Sequence, residues 1–427
     1  MLLGETNLSI KLGFLINKKN LTELVMTTLR HYHKGEYNME TIFNKTIEEI
    51  KDRGALYTAT EIYNQPKLWK EVFHILTESK EKIASFMDGV INKEGLRIIL
   101  TGAGTSAYVG EIAAPYLSKL LGTRVEAVAT TDIVSNPKEY LQKNNPTILV
   151  SFARSGNSPE SVGTFNLSED LIKDVNQIVI TCNKDGELAN RVKDSDKDLL
   201  LLMPEESNDK SFAMTSSFSC MLLTVLSIFD IKNVNENLIN TIIKNAKEIL
   251  DNHWQEINKL VEMNFKRVVY LGSGSLKGLT KETSLKNLEL TSGRIDTYNE
   301  GVLGFRHGPK SVINDETLMI VFLSNDAYTR KYDLDLIKEI HGDSGEQKVA
   351  VISHKRYEGI KEYCDYYLSL DKEEIDDAFS SLEFAIFGQL FAMFNSLHLG
   401  ISPDNPRPDG SVNRVVKGVN IYPFNKK

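Results

Sequence analysis

Cysteine is scarce in this chain. Three residues, Cys182, Cys220 and Cys364, are spread over 427 positions with no C-x-x-C pairing. That spacing speaks against a disulfide framework and a thiolate zinc site, and reads as reduced thiols in a cytoplasmic protein. Positive charge is in deficit, with 50 Lys and Arg against 58 Asp and Glu and a formal net charge of −8. A nucleic-acid-binding surface normally shows net basicity, so an anionic ligand here must be held by local geometry. No apolar run reaches the 18 or so residues of a membrane span. The first twenty residues contain Glu5 and no small-residue cleavage site, which argues against a signal peptide. What remains is a globular composition, 41% hydrophobic and 25% charged, long enough for two ordinary domains.

The stretch "HKGEYNM" (His33–Met39) can be encoded with a purine-rich ribosome-binding sequence over Lys34-Gly35-Glu36. We therefore expect translation to start at Met39 and residues 1–38 to be a mis-annotated extension; a genuine short helical extension is the alternative. Residues 39–85 read as a helical lead-in, with "NQPKLW" placing Pro66 at a helix start. The lead-in holds seven Lys/Arg and eight Asp/Glu, a net charge of −1 that does not suit a DNA-reading helix pair.

The chain repeats itself. "RIILTGAGTSA" from Arg97 has a counterpart in "RVVYLGSGSLK" from Arg267, 170 residues later. "RVEAVATTDI" answers "RIDTYNEGVL" at 170, "TILVSFA" answers "LMIVFLS" at 171, and "QIVITCNK" answers "KVAVISHK" at 171. "DLLLLMPEE" answers "DYYLSLDKE" at 167. Short aliphatic runs alternating with helix-length stretches mean a parallel sheet covered on both faces. The expected fold is α/β: two tandem domains of about five strands each, residues 86–248 and 249–400, followed by a Pro-rich tail, 401–427.

"GAGTSA" (Gly102–Ala107) follows a strand and opens a helix, which satisfies the dinucleotide fingerprint. The acid expected at the end of the next strand is poorly placed: Glu126 comes too early, and only Asp132 is left. Hydroxyls favour a single phosphate instead. Gly104, Thr105 and Ser106 form the turn; "FARSGNSPES" (Phe152–Ser161) adds Arg154, Ser155, Asn157 and Ser158 beyond the third strand. "KSFAMTSSFS" (Lys210–Ser219) adds Ser211, Thr215 and Ser216 ahead of another apolar helix. Each loop alone is an ordinary capping motif. Three at the carboxyl ends of parallel strands, where helix N-termini favour anions, make a phosphate cup.

The second half has no such cup, but carries "KETSLKNLELTSG" (Lys281–Gly293) and "GFRHGP" (Gly304–Pro309). Glu282, Lys286 and Glu289 share one helix face at i, i+4, i+7. By spacing alone this is equally a solvent-exposed ion-pair stripe, and His307 in a turn is more often structural than catalytic. Aldose–ketose chemistry needs such a set: a carboxylate to move a proton between adjacent carbons, an imidazole to open the sugar ring, and a lysine at the carbonyl.

On the duplicated halves, "GAGTSA", "SFARSGNSPES" and "FRHGP", the chain resembles the sugar isomerase (SIS) domain family. "TATEIYNQPKLW" and "PDNPRPDGSVNRVVKGV" resemble more narrowly the galactosamine-6-phosphate deaminase/isomerases, also called tagatose-6-phosphate ketose/aldose isomerases. The likeness runs from about residue 53 to the C-terminus. It implies phosphate contacts from Ser106, Ser155 and Ser158 with Arg154 beside them, and Glu289 as the proton-shuttling base assisted by Lys286. It also implies ring opening by His307 shared across a homodimer or higher homo-oligomer, and closure of the tail through Lys417. Ala153 stands where the related synthases have a serine, so one phosphate contact is absent or rerouted through Arg154. No counterpart of their glutaminase domain is evident, which favours ammonia release. The expected activity converts galactosamine 6-phosphate and water to tagatose 6-phosphate and ammonium, with no cofactor and no metal. The alternatives are a deglycase or ketose–aldose isomerase on a related sugar or fructosamine phosphate, and a non-catalytic sugar-phosphate sensor.

Overall fold

The computed structural model describes residues 41–370, 374–416 and 418–424. The Met39 start and Lys417 lie outside them. The described part of an N-terminal unit, residues 41–47, holds the antiparallel pair Thr41–Ile42 and Lys45–Thr46. The second unit, Glu48–Lys427, carries two five-stranded parallel sheets.

The first sheet comprises β1 (Arg97–Thr101), β2 (Arg124–Ala127), β3 (Thr147–Ala153), β4 (Val175–Thr181) and β5 (Leu199–Leu202), in the order β2-β1-β3-β4-β5. The second comprises β6 (Arg267–Gly272), β7 (Asp296–Gly301), β8 (Thr317–Leu323), β9 (Lys348–Ser353) and β10 (Tyr366–Ser369), in the order β7-β6-β8-β9-β10. The two orders are the same, as duplication requires. The register corrects the sequence alignment at one strand. Arg97 pairs with Arg124 and Arg267 with Asp296, so β2 and β7 are offset by 296 − 124 = 172 residues rather than 170. The central strands β1, β3 and β8 are buried along their whole length, which is why they read as unbroken aliphatic runs.

Six helices frame the sheets: α1 (Leu56–Glu78), α2 (Thr105–Leu121), α3 (Pro159–Leu171), α4 (Ser216–Phe229), α5 (Ser275–Leu290) and α6 (Asp377–His398). The glycine turns repeat as closely as the strands. Gly104 and Gly274, ahead of α2 and α5, have φ of 56° and 57°, a conformation that a β-carbon disfavours. A β-carbon on Gly102 would meet the Ser106 backbone at 2.6 Å, and one on Gly272 the Leu276 carbonyl at 2.7 Å.

Helix α6 is buried from Ala378 to Ser396, as expected of a helix apolar on every side. Its few polar groups are paired. Glu383 accepts from Asn245 at 2.6 Å and meets His354 Nδ1 at 2.8 Å, Gln389 accepts from Gln65 at 2.6 Å, and Asn395 donates to Asn287.

The lead-in departs from expectation at Pro66, which lies inside the 23-residue α1 and not at its start. Proline removes the bond that would reach the Ile62 carbonyl. The Gln65 side-chain amide takes that carbonyl instead, at 3.2 Å, and the helix continues. Among the described residues no helix is long and apolar enough to cross a membrane.

Candidate active site

The two halves meet through α2 and α5. A β-carbon on Gly278 of α5 would lie 2.7 Å from the backbone at Glu111 and Ile112 of α2, so the helices touch at the main chain. Lys281 Nζ joins Glu111 at 2.5 Å across the same seam. The contact sets the glycine turn of the first half beside the Glu–Lys–Glu stripe of the second: Thr105, the first residue of α2, stands beside the Glu282 carboxyl.

The stripe is not a solvated face. Glu282 and Lys286 are each 1% exposed, and Glu289 is partly open. Lys286 Nζ lies 2.5 Å from Glu289 and 3.7 Å from Glu282. One buried ammonium balances one carboxylate, and the closer is Glu289. Burial therefore pushes the Glu282 carboxyl up to about 8, with Lys286 opposing the shift and Glu289 adding to it. Burial pulls Lys286 down, but the carboxylates of Glu282 and Glu289 outweigh it and hold the ammonium above its ordinary value. At neutral pH the stripe is a neutral acid, a cation and an anion. Glu282 carries no role in the sequence reading; its i, i+4 spacing from Lys286 was visible, but its burial was not.

The loop after β3 is rigid by its own bonds. Ser155 Oγ accepts from the Asn157 N–H, Asn183 donates to the Ser155 carbonyl, and Asn157 Oδ1 accepts from the Glu187 N–H. Ser158 precedes Pro159 at the start of α3 and donates to Ser161 at 2.6 Å. Arg154 is 8% exposed. Its Nη2 donates to the Arg414 carbonyl in the tail at 2.9 Å, and its Nη1 is buried with no partner. A buried guanidinium nitrogen left unpaired beside two helix N-termini is what an anion would satisfy. The charge of Arg154 also acts on Lys286, so the loop and the stripe share one electrostatic site.

The third hydroxyl loop has other duties. Thr215 and Ser216 are fully buried. Thr215 donates to Asp209, whose carboxylate also takes the N–H groups of Thr215, Ser216 and Ser217 and so caps α4. Ser216 donates to the Glu61 carbonyl on α1, and Ser219 to Gln65. The lead-in helix that consumes these hydroxyls is more than 130 residues away in sequence. What the loop presents to the cup is Met214, whose sulfur lies 3.9 Å from Ser106 Oγ.

His307 sits apart. It is exposed, in a turn beyond the edge strand β7, and its imidazole makes no hydrogen bond or ion pair among the described residues. Among the described residues no group of three or more His, Cys, Asp or Glu could hold a metal ion.

Fold and site define the class: paired sugar isomerase domains with a carboxylate–lysine pair facing an anion cup. Residues 90–230 match the SIS domain model. The chain is 42% identical over 382 residues to the D-galactosamine-6-phosphate deaminase AgaS of Shewanella sp. (strain ANA-3), covering 89% of this chain and 95% of that one. A solved structure of a candidate tagatose-6-phosphate ketose/aldose isomerase from Clostridium novyi NT superposes with TM-score 0.88 at 46% identity, over 90% of this chain and 100% of that one. The tagatose-6-phosphate ketose/aldose isomerase from Escherichia coli superposes with TM-score 0.78 at 38% identity, over 86% and 96%. The chain belongs to the AgaS family of D-galactosamine-6-phosphate deaminases.

Proposed function

We propose that this protein is an amino-sugar-phosphate deaminase/isomerase that converts galactosamine 6-phosphate and water to tagatose 6-phosphate and ammonium. The observation that carries the reading is the buried Lys286–Glu289 pair at 2.5 Å, beside a neutral Glu282 and within electrostatic reach of Arg154. The phosphate would lie against Ser106, Ser155 and Ser158, with Arg154 Nη1 taking an oxygen. In the open-chain sugar Glu289 takes the C2 proton and returns it at C1, which turns the C2 amine into an imine. Water adds to that carbon, the C–N bond breaks, and ammonium leaves with the ketose behind. Lys286, kept cationic by its carboxylates, stabilises charge at the C2 substituent and C1 oxygen. Glu282, neutral at its buried position, leaves Lys286 to Glu289 alone.

His307 opens the ring. Its exposure on an edge turn suits delivery into the site of a second copy, so the working unit is at least a dimer. Lys417 would act from the tail that crosses the site. The test is ammonia release from galactosamine 6-phosphate and glucosamine 6-phosphate side by side, with Glu289→Gln as control. Release from the galacto epimer, lost by roughly a hundredfold or more in the variant, is the expected result. Ketose formation without ammonia would favour simple isomerisation, and binding without turnover a sensor.

A further inference from the structure

The C-terminal segment is strapped across the molecule by contacts to both halves. Ser402 donates to the Gly54 carbonyl at 2.7 Å, and Asp404 takes the N–H and hydroxyl of Thr58 on α1. Arg407 donates to the Ser292 carbonyl just past α5. Ile421 packs where a Gly163 side chain would stand on α3, and Phe424 packs against the apolar cluster of the first sheet.

Midway, Arg414 is held from both sides. Its guanidinium donates to the Ser211 carbonyl at 3.1 Å and to the Asp209 carbonyl, while its own carbonyl accepts from Arg154. The loop it grips is in turn fixed by Glu61, whose carboxylate takes the Lys210 and Ser211 N–H groups. Two arginines thus approach at the cup. Arg154 Nη1 remains buried and unpartnered. Arg414 adds to burial in disfavouring the charge of Arg154.

Resting on the phosphate cup of the proposed function, we propose that Arg414 is a positioning residue that couples the C-terminal strap to the anion: a phosphate on Arg154 Nη1 tightens the strap through Arg414, and the docked strap tightens phosphate binding. The physical basis is charge. Without an anion, two guanidinium groups repel across a poorly hydrated gap, and the strap is held against that repulsion. A phosphate dianion at the vacant nitrogen reverses the sign, and the same Arg154–Arg414 contact becomes favourable. Coupling between two binding events is reciprocal, so strap and anion must strengthen each other equally. The tail then serves as a reader of the phosphate, distinguishing phosphorylated from free sugars at the step of closure.

The test uses inorganic phosphate as probe, so it does not depend on turnover. Hydrogen–deuterium exchange of peptides spanning residues 407–424 is measured with and without saturating phosphate, in wild type, Arg414→Ala and Arg154→Ala. Wild-type exchange should slow on phosphate addition, and both variants should lose that response. Phosphate affinity should fall roughly tenfold or more in Arg414→Ala, the order of one charge-assisted contact. Arg154→Ala keeps the Arg414 bonds to Ser211 and Asp209, so it separates loss of sensing from a strap that no longer docks. A wild-type strap indifferent to phosphate overturns the inference, as does an Arg414→Ala strap that still responds. Protection by phosphate in a protein that releases ammonia from no hexosamine phosphate would refute the proposed reaction and leave the coupling intact.

Discussion

Replacing Glu282 by glutamine should stabilise this protein, by an amount that grows with pH. The carboxyl is 1% exposed and its lysine lies closer to Glu289, 2.5 Å against 3.7 Å. Burial, reinforced by Glu289, raises it from 4.5 to about 8. Between those values the unfolded chain has released the proton and the native state still binds it, so stability falls as pH rises. At pH 7 the gap from 4.5 is about 2.5 pH units, or about 3 kcal/mol at 1.36 kcal/mol per unit; at pH 5 it is under about 1 kcal/mol. Glutamine keeps the shape and cannot ionise, so it removes this penalty. An unfolding entropy of about 2.1 cal/mol/K per residue over Glu48–Lys427 turns 3 kcal/mol into about 4 °C. Thermal unfolding of wild type and Glu282→Gln at pH 5, 6, 7 and 8 is the assay. The variant's advantage should be near zero at pH 5 and reach about 4 °C at pH 7. A constant difference at all four pH values, or a variant that melts lower at pH 7, would refute the reasoning. Either result would mean that Glu282 is ionised in the native state and that Lys286 serves both carboxylates.

Gly278→Ala should cost about 1–3 kcal/mol, because its β-carbon would meet α2 backbone that cannot rotate away; an unchanged melting temperature would mean the helices can separate freely. Lys286→Met should destabilise by about 3–5 kcal/mol, since it leaves a carboxylate without its counter-charge, and Lys286→Met with Glu289→Gln should recover part of that loss in urea unfolding. Mixing Glu289→Gln with His307→Ala, each inactive alone, should restore ammonia release after subunit exchange. If the mixture stays inactive while exchange is demonstrated, His307 does not work in a partner's site.

Much of the fold was legible along the chain because its causes are local. Aliphatic runs of strand length, a glycine where φ must be positive, and a helix after it recur at nearly constant spacing. Two copies of that order in sequence are two copies in space, from Gly102–Gly104 to Gly272–Gly274. The cup loops and the Glu–Lys–Glu stripe were visible for the same reason: each lies within one turn or one helix face.

What tertiary structure alone decided rests on contacts between distant residues. Spacing placed Glu282, Lys286 and Glu289 on one face, but only the packing of α5 on α2 buries that face and divides one lysine unequally between two acids. Thr215 and Ser216 looked like ligand hydroxyls until α1 and Asp209 claimed them. Pro66 looked like a helix start until the Gln65 amide supplied the missing donor. Arg414, one basic residue in a polar tail, acquires meaning only where it meets Arg154, 260 residues earlier in the chain. Periodicity and turn stereochemistry act over a few residues and can be read in order. Burial, charge balance and hydrogen-bond allocation depend on which remote groups arrive, and these the packing of the two halves selects.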